Sequence, residues 1–209
     1  KSIGNGRDKI GYDNSKTPMA PYLFFLCVGT YSTFTREFEY PDGKKFNIEI
    51  LAPPNTSKEI VEKALDVISN AVMWIHIFTG PEKYNNLDIR NELNSFIKKR
   101  DELKKSKNDL SQIRQEIKKL ADTLVLGYKY TGTVYREIGM QNSNFGGMEN
   151  VGNTTITTNR LLPFPQTTDP AFEYMIQVKV HEFYHNLNGS EVTGHSPFEI
   201  WLNEAVTVH

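Results

Sequence analysis

The sequence has a single cysteine in 209 residues, Cys27, so it can form no internal disulfide and carries no mark of an oxidising compartment. A cytoplasmic location is the expectation. Cys27 lies in the apolar run Tyr22–Val28 and reads as a buried core thiol rather than a reactive one. No stretch approaches the roughly 20 apolar residues of a membrane-spanning helix. An excess of one charge is also missing: 24 Lys and Arg stand against 25 Asp and Glu, a net charge of −1, so nothing calls for nucleic acid or another polyanion as partner. The opening residues KSIGNGRDKI are polar, lack an initiator Met and do not form a signal peptide. They read as the start of a piece processed or excised from something longer.

What is present suffices for a core. Hydrophobic residues make up 38% of the chain, whose length suits one or two domains. Residues 1–20, rich in Gly, Asn, Asp, Ser and Lys, read as loop. Tyr22 to Ala52 reads as β. Phe34, Arg36, Phe38 and Tyr40 alternate with polar neighbours, Pro41-Asp42-Gly43-Lys44 turns, and Phe46, Ile48 and Ile50 share one face. This predicts an antiparallel meander that ends at Pro53-Pro54. A helix follows, capped by Thr56 or Ser57, with Glu59 in its first turn and Gly80-Pro81 as its stop. Its apolar face comprises Ile60, Ala64, Val67, Ile68, Ala71, Met73, Trp74 and Ile77. His76 within it reads as a packed or surface histidine, not a ligand.

Residues 88–126 change in character. They are densely charged, and Leu103, Leu110, Ile113, Ile117, Leu120 and Leu124 recur at steps of 7, 3, 4, 3 and 4. With a turn at Ser106-Lys107-Asn108-Asp109, the segment reads as an amphipathic helical hairpin on the domain's own surface, ahead of a dedicated protein-binding device. Tyr128–Met140 and the β-branched run Thr154–Thr158 read as strands, and two helices close the chain.

The first of these helices starts at Asp169-Pro170 and carries Phe172, Ile176, Val180, Phe183 and Leu187 as an apolar stripe, with Gly189 able to end it. Inside it stands His181-Glu182-Phe183-Tyr184-His185. Histidines at i and i+4 project from one face, close enough for two imidazole nitrogens to reach one ion at about 2.0–2.1 Å. Glu182 projects beside them and can hold a water that the metal polarises. Ser196-Pro197-Phe198-Glu199 is a capping box that starts another helix. On it Glu204 shares a face with Ile200, Trp201 and Val208 and is expected to point inward. A carboxylate taken from water needs a metal or a cation beside it. A zinc ion held by His181 and His185 is the favoured partner over Lys179, because Lys179 would leave both histidines unexplained. Two neutral histidines and one carboxylate leave such a zinc site with net positive charge, suited to activating water. Glu182 would then be the general base, passing the proton to a leaving amine.

At this point the residues match a family. His181-Glu182-Phe183-Tyr184-His185, eighteen intervening residues and Glu204 within Trp201-Leu202-Asn203-Glu204 resemble the gluzincins of the aminopeptidase N and leukotriene epoxide hydrolase family. The family's G-x-M-E-N motif stands upstream as Gly146-Gly147-Met148-Glu149-Asn150. The resemblance covers residues 18–87 and 127–209, with 88–126 as an insertion. It implies an α+β chain: residues 1–54 as the end of an antiparallel N-terminal β domain, then 55–209 as the first part of a thermolysin-like catalytic domain with the helical-hairpin insertion. It further implies one Zn2+ per chain bound by His181, His185 and Glu204, Glu182 as general base, and a peptide substrate with a free N-terminus. Gly146, Gly147, Met148, Glu149 and Asn150 would bind that substrate, with Glu149 on its α-ammonium group. The glycines would let backbone approach it closely.

The sequence departs from the family at Asn186-Leu187-Asn188 and Val151, where aromatic residues are common, and at Ala205, often Gly. These positions bear on substrate preference. The tyrosine that stabilises the tetrahedral intermediate normally follows the zinc glutamate and is expected beyond residue 209. With the helix of residues 197–209 lacking a stop signal, the 209 residues are expected to be an incomplete catalytic unit. Aminopeptidase is the leading reading. A related zinc hydrolase cutting internal peptide bonds or an epoxide comes second, and a non-catalytic scaffold third. Glu149 favours the first over the second, and the intact ligand set argues against the third.

Overall fold

The structure, a computed structural model, describes residues 2–8, 19–80, 87–106, 108–122, 127–143 and 146–208. The first stretch corrects the expectation of loop: β1 (Ser2–Gly4) and β2 (Arg7–Asp8) pair as an antiparallel ribbon. Asn5 and Gly6 between them have φ of 53° and 69°, the Asn-Gly signal of a tight hairpin turn. A second correction concerns Tyr22–Val28, expected as strand. Pro21–Leu23 forms a single 3-10 turn and residues 24–31 are irregular. Leu23 is buried, but Leu26 and Val28 are 66% and 88% exposed, because this segment pairs with no strand among the described residues. Cys27 is accordingly only half-buried, its Sγ 3.0 Å from the Tyr31 hydroxyl.

The alternating stretch becomes β3 (Ser32–Glu39) and β4 (Lys45–Ala52), antiparallel, with Phe34 opposite Ile50 and Phe38 opposite Phe46. Gly43 makes the turn with φ of 88°. Phe46, Ile48, Ile50 and Ala52 all bury on one face, as the alternation requires. The meander stops there. After α1 (Lys58–Phe78), α2 (Leu87–Lys105) and α3 (Ser111–Asp122), the chain returns as β5 (Val134–Met140), which lies parallel to β4. A parallel neighbour demands a long crossover, and the helices supply it. β6 (Gly147–Met148) and β7 (Asn153–Thr157) complete a mixed five-stranded sheet in the order β3-β4-β5-β7-β6. Strands on both sides of the boundary expected at residue 54 therefore share one sheet. The chain closes with the short α4 (Thr158–Leu161), then α5 (Asp169–Tyr184) and α6 (Ile200–Val208).

Ser57 caps α1 by accepting from the Ile60 amide at 3.4 Å. Val61, Ala64, Leu65, Ile68, Val72 and Ile75 pack on the sheet. The expected face was rotated: Trp74 is exposed and stacks on Phe78, ring centroids 4.6 Å apart, facing away from the core. His76 is buried, and its Nδ1–H donates to the Tyr128 carbonyl at 3.0 Å. α2 and α3 pack on each other through Leu93, Ile113 and Ile117, flanked by Leu103, Leu110 and Leu120. Leu124, Lys107 and Phe145 lie outside the described residues. The pair is fastened to the edge strand β3 by Arg100 donating to the Glu39 carbonyl at 3.3 Å, Arg114 to Glu39 at 3.1 Å and Lys104 to Glu37 at 3.2 Å.

α5 lies across the sheet beside α1 and carries the histidines. Its buried residues are Met175, Val178, Lys179, Glu182 and Phe183; of the apolar stripe read from the sequence, Phe183 is buried and Val180 and Leu187 pack against the core, while Phe172 and Ile176 are exposed. Hydrophobicity failed to mark this face because two of its five buried positions are charged. No helix among the described residues is long and apolar enough to cross a membrane.

Candidate metal centre

α5 ends at Tyr184, and the next residues turn back through amides bonded to helix carbonyls, so His185 closes the helix while still facing His181. The two Nε2 atoms are 3.0 Å apart. His185 Nδ1–H donates to the Asn188 carbonyl at 2.8 Å, which leaves its Nε2 lone pair free to face His181. His181 is hydrogen-bonded to the Thr207 backbone, and burial and the neighbouring His185 keep it below the usual histidine range. A neutral imidazole is the form that binds a metal.

The third donor comes from α6. Ser196 forms the capping box with Glu199: its hydroxyl accepts from the Phe198 amide at 3.3 Å and its amide donates to Glu199 at 3.2 Å. This start sets the helix phase so that the Glu204 carboxylate oxygens lie 3.3 Å from His181 Nε2 and 3.6 Å from His185 Nε2. One donor atom from each of His181, His185 and Glu204 falls within 4.8 Å of the others. Glu204 does not sit in an apolar stripe, however. Its side chain is 46% exposed, Ile200, Trp201 and Val208 are exposed, and Thr207 is the one buried residue of α6. Lys179 is not its partner; that ammonium pairs with Glu137.

Glu182 is buried beside the histidines, and its Oε2 has no hydrogen-bond partner among the described residues. Burial, then the carboxylates of Glu149, Glu204 and Glu137, push its pKa up to about 8. Several carboxylates gathered about two imidazoles make a site that calls for a cation, and an N,N,O donor set suits a transition metal such as zinc.

The Gly146–Asn150 segment forms the edge of the sheet next to this helix. Gly147 and Met148 pair with Ile156 and Thr155 of β7. The site of a Cβ on Gly147 would be 2.3 Å from Glu182 Oε1, so the bare backbone lets the carboxylate reach the strand. Glu149 is buried next to it. Asn150 is buried too, its amide donating to the Leu23 carbonyl at 3.4 Å. That bond ties the Pro21–Leu23 turn to the site and brings in a residue the sequence reading did not single out. The Tyr22 hydroxyl is hydrogen-bonded to Asn203, and its pKa is raised by burial and by Glu149 and Glu204. Only the fold, which brings Leu23 to Asn150 across 127 residues, could have revealed it. A groove of 1320 Å³ runs from Gly147, His181 and Glu182 along Trp74, Phe172 and Tyr184.

The model of the peptidase family M1 domain matches residues 108–209. Aminopeptidase N of Caulobacter vibrioides is 34% identical over 192 residues, 91% of this chain and 17% of that protein. Aminopeptidase N of Haemophilus influenzae is 33% identical over 81 residues, 38% of this chain and 9% of that one. The crystal structure of Legionella pneumophila aminopeptidase A in complex with aspartic acid superposes with a TM-score of 0.58 at 19% identity, covering 86% of this chain and 16% of that one, and supports the fold. This chain belongs to peptidase family M1, whose aminopeptidases are metalloenzymes. It spans less than a fifth of the length of the Caulobacter relative.

Proposed function

We propose that the chain carries the zinc-binding and catalytic core of an aminopeptidase. The observation that carries this is the convergence of His181, His185 and Glu204 donor atoms within 4.8 Å, with buried Glu182 alongside. One Zn2+ per chain fits that donor set, and when bound it supplies the polarisation that lowers the pKa of water to about 7. Glu182 accepts a proton from the attacking water and delivers it to the leaving amine. Glu149, buried and close enough to raise the Glu182 pKa, binds the α-ammonium group of the substrate and so limits cleavage to the first residue. The bare backbone of Gly146 and Gly147 lets the substrate lie against the sheet edge. The relatives named aminopeptidase N support this reading over cleavage of internal bonds.

The test is metal analysis of the protein together with a panel of amino-acid amides. One zinc per chain and zinc-dependent release of the amine are expected. Glu182→Gln should keep the metal and lose at least about 100-fold in kcat, since an amide cannot accept the proton. Normal turnover by that variant would end the proposal.

A further inference from the structure

The ion pair between Lys179 and Glu137 holds no metal and takes no proton in the chemistry above, yet both side chains are fully buried, at 0% exposure. Glu137 is on the central strand β5, and Lys179 is on the inner face of α5, one turn before Glu182. Burying two charges is costly even when they meet, and an apolar pair of similar volume often serves stability as well or better. The pair therefore calls for an explanation other than stability.

Geometry supplies one. Phe183 packs edge-on against Tyr135, ring centroids 5.0 Å apart, and Lys179 meets Glu137. Four helix residues advance about 6 Å. Two strand residues advance about 6.6 Å. α5 thus runs opposite to β5 with two matched contacts. A slip of one turn would set Lys179 against the Tyr135 ring and Met175 against Glu137, leaving both charges buried and unpaired. Apolar contacts alone tolerate such sliding far better. Position matters here because Glu182 Oε2 has no hydrogen bond among the described residues to fix it, and its carboxylate reaches to Gly147 on the sheet edge.

We infer that Lys179 and Glu137 are positioning residues: their buried pair locks the register of α5 on β5 and so holds Glu182 beneath the Gly147 strand. This rests on Glu182 being the general base. The test uses the full-length zinc-loaded protein with Lys179→Met and Glu137→Leu combined, which fills the space and strands no charge. Its melting temperature should match or exceed the wild type, and one zinc should remain. At unchanged KM, kcat should fall at least about tenfold, since small misplacements of a catalytic group are expensive in rate. Amide hydrogen exchange across residues 178–185 should quicken. Wild-type kcat and wild-type exchange in this variant would overturn the inference, reducing the pair to core filling. If the variant does not fold, the exchanged pair, Lys179→Glu with Glu137→Lys, decides: kcat within about threefold of wild type supports a lock. A folded but slow exchanged pair, or failure of both variants to fold, overturns it. A wild-type full-length protein without zinc-dependent activity would instead sink the function proposed above, and the exchange measurement would still judge the pair.

Discussion

The Nε2 atoms of His181 and His185 lie 3.0 Å apart, with a Glu204 oxygen 3.3 Å from the first and another 3.6 Å from the second. Two nitrogens bound tetrahedrally to one zinc ion stand about 3.3 Å apart, so the donors need little rearrangement to bind. His185→Ala should abolish stoichiometric zinc. Glu204→Gln, which keeps the shape but loses the charge, should weaken zinc binding by at least about tenfold. Competition with a chelator measures both, and unchanged affinity in Glu204→Gln would remove Glu204 from the ligand set.

Glu149 is buried within the electrostatic reach of Glu182. A hydrogen bond to a charged group contributes about 1.5–3 kcal/mol, so Glu149→Gln should raise KM for free-amine substrates by about 10- to 100-fold. Acetylating the substrate's N-terminus should abolish most cleavage by the wild type. Equal rates on free and blocked peptides would identify an endopeptidase.

The bonds of α2 and α3 to the sheet run to Glu37 and Glu39 of β3, at its far edge from β6. Replacing residues 88–126 with a short Gly/Ser linker should therefore leave zinc content unchanged. It should lower the melting temperature, because Glu39 is 6% exposed and loses its arginine partners. Loss of zinc on replacement would show that the helices support the metal helix directly.

Burial holds the pKa of His76 below its ordinary value of 6.5. Below pH 6.5 the unfolded chain takes up a proton there that the folded chain refuses. His76 thus contributes stability above its unfolded pKa that is lost as pH falls toward its folded one. His76→Gln should flatten the fall in melting temperature between about pH 6.5 and 5 relative to wild type. Parallel profiles for the two proteins would show that His76 is not responsible.

The sequence by itself determined what depends on neighbours a few residues away. His181 and His185 share a helix face because i and i+4 always do, and Ser196 with Glu199 starts α6 by bonds within one turn. Phe46, Ile48 and Ile50 share a strand face for the same kind of reason. The tertiary structure alone decided which elements meet. Periodicity gives a strand's buried face but not its neighbour, so the parallel pairing of β4 with β5 across the helical crossover was invisible. So was the face of α5 that turns inward, because Lys179 is tolerable there only beside Glu137, 42 residues away in sequence. The half-exposure of Glu204 and the approach of Tyr22 to Asn203 follow from packing in the same way. A charged side chain carries no local sign of whether it will be buried; that depends on the partner which the fold brings to it.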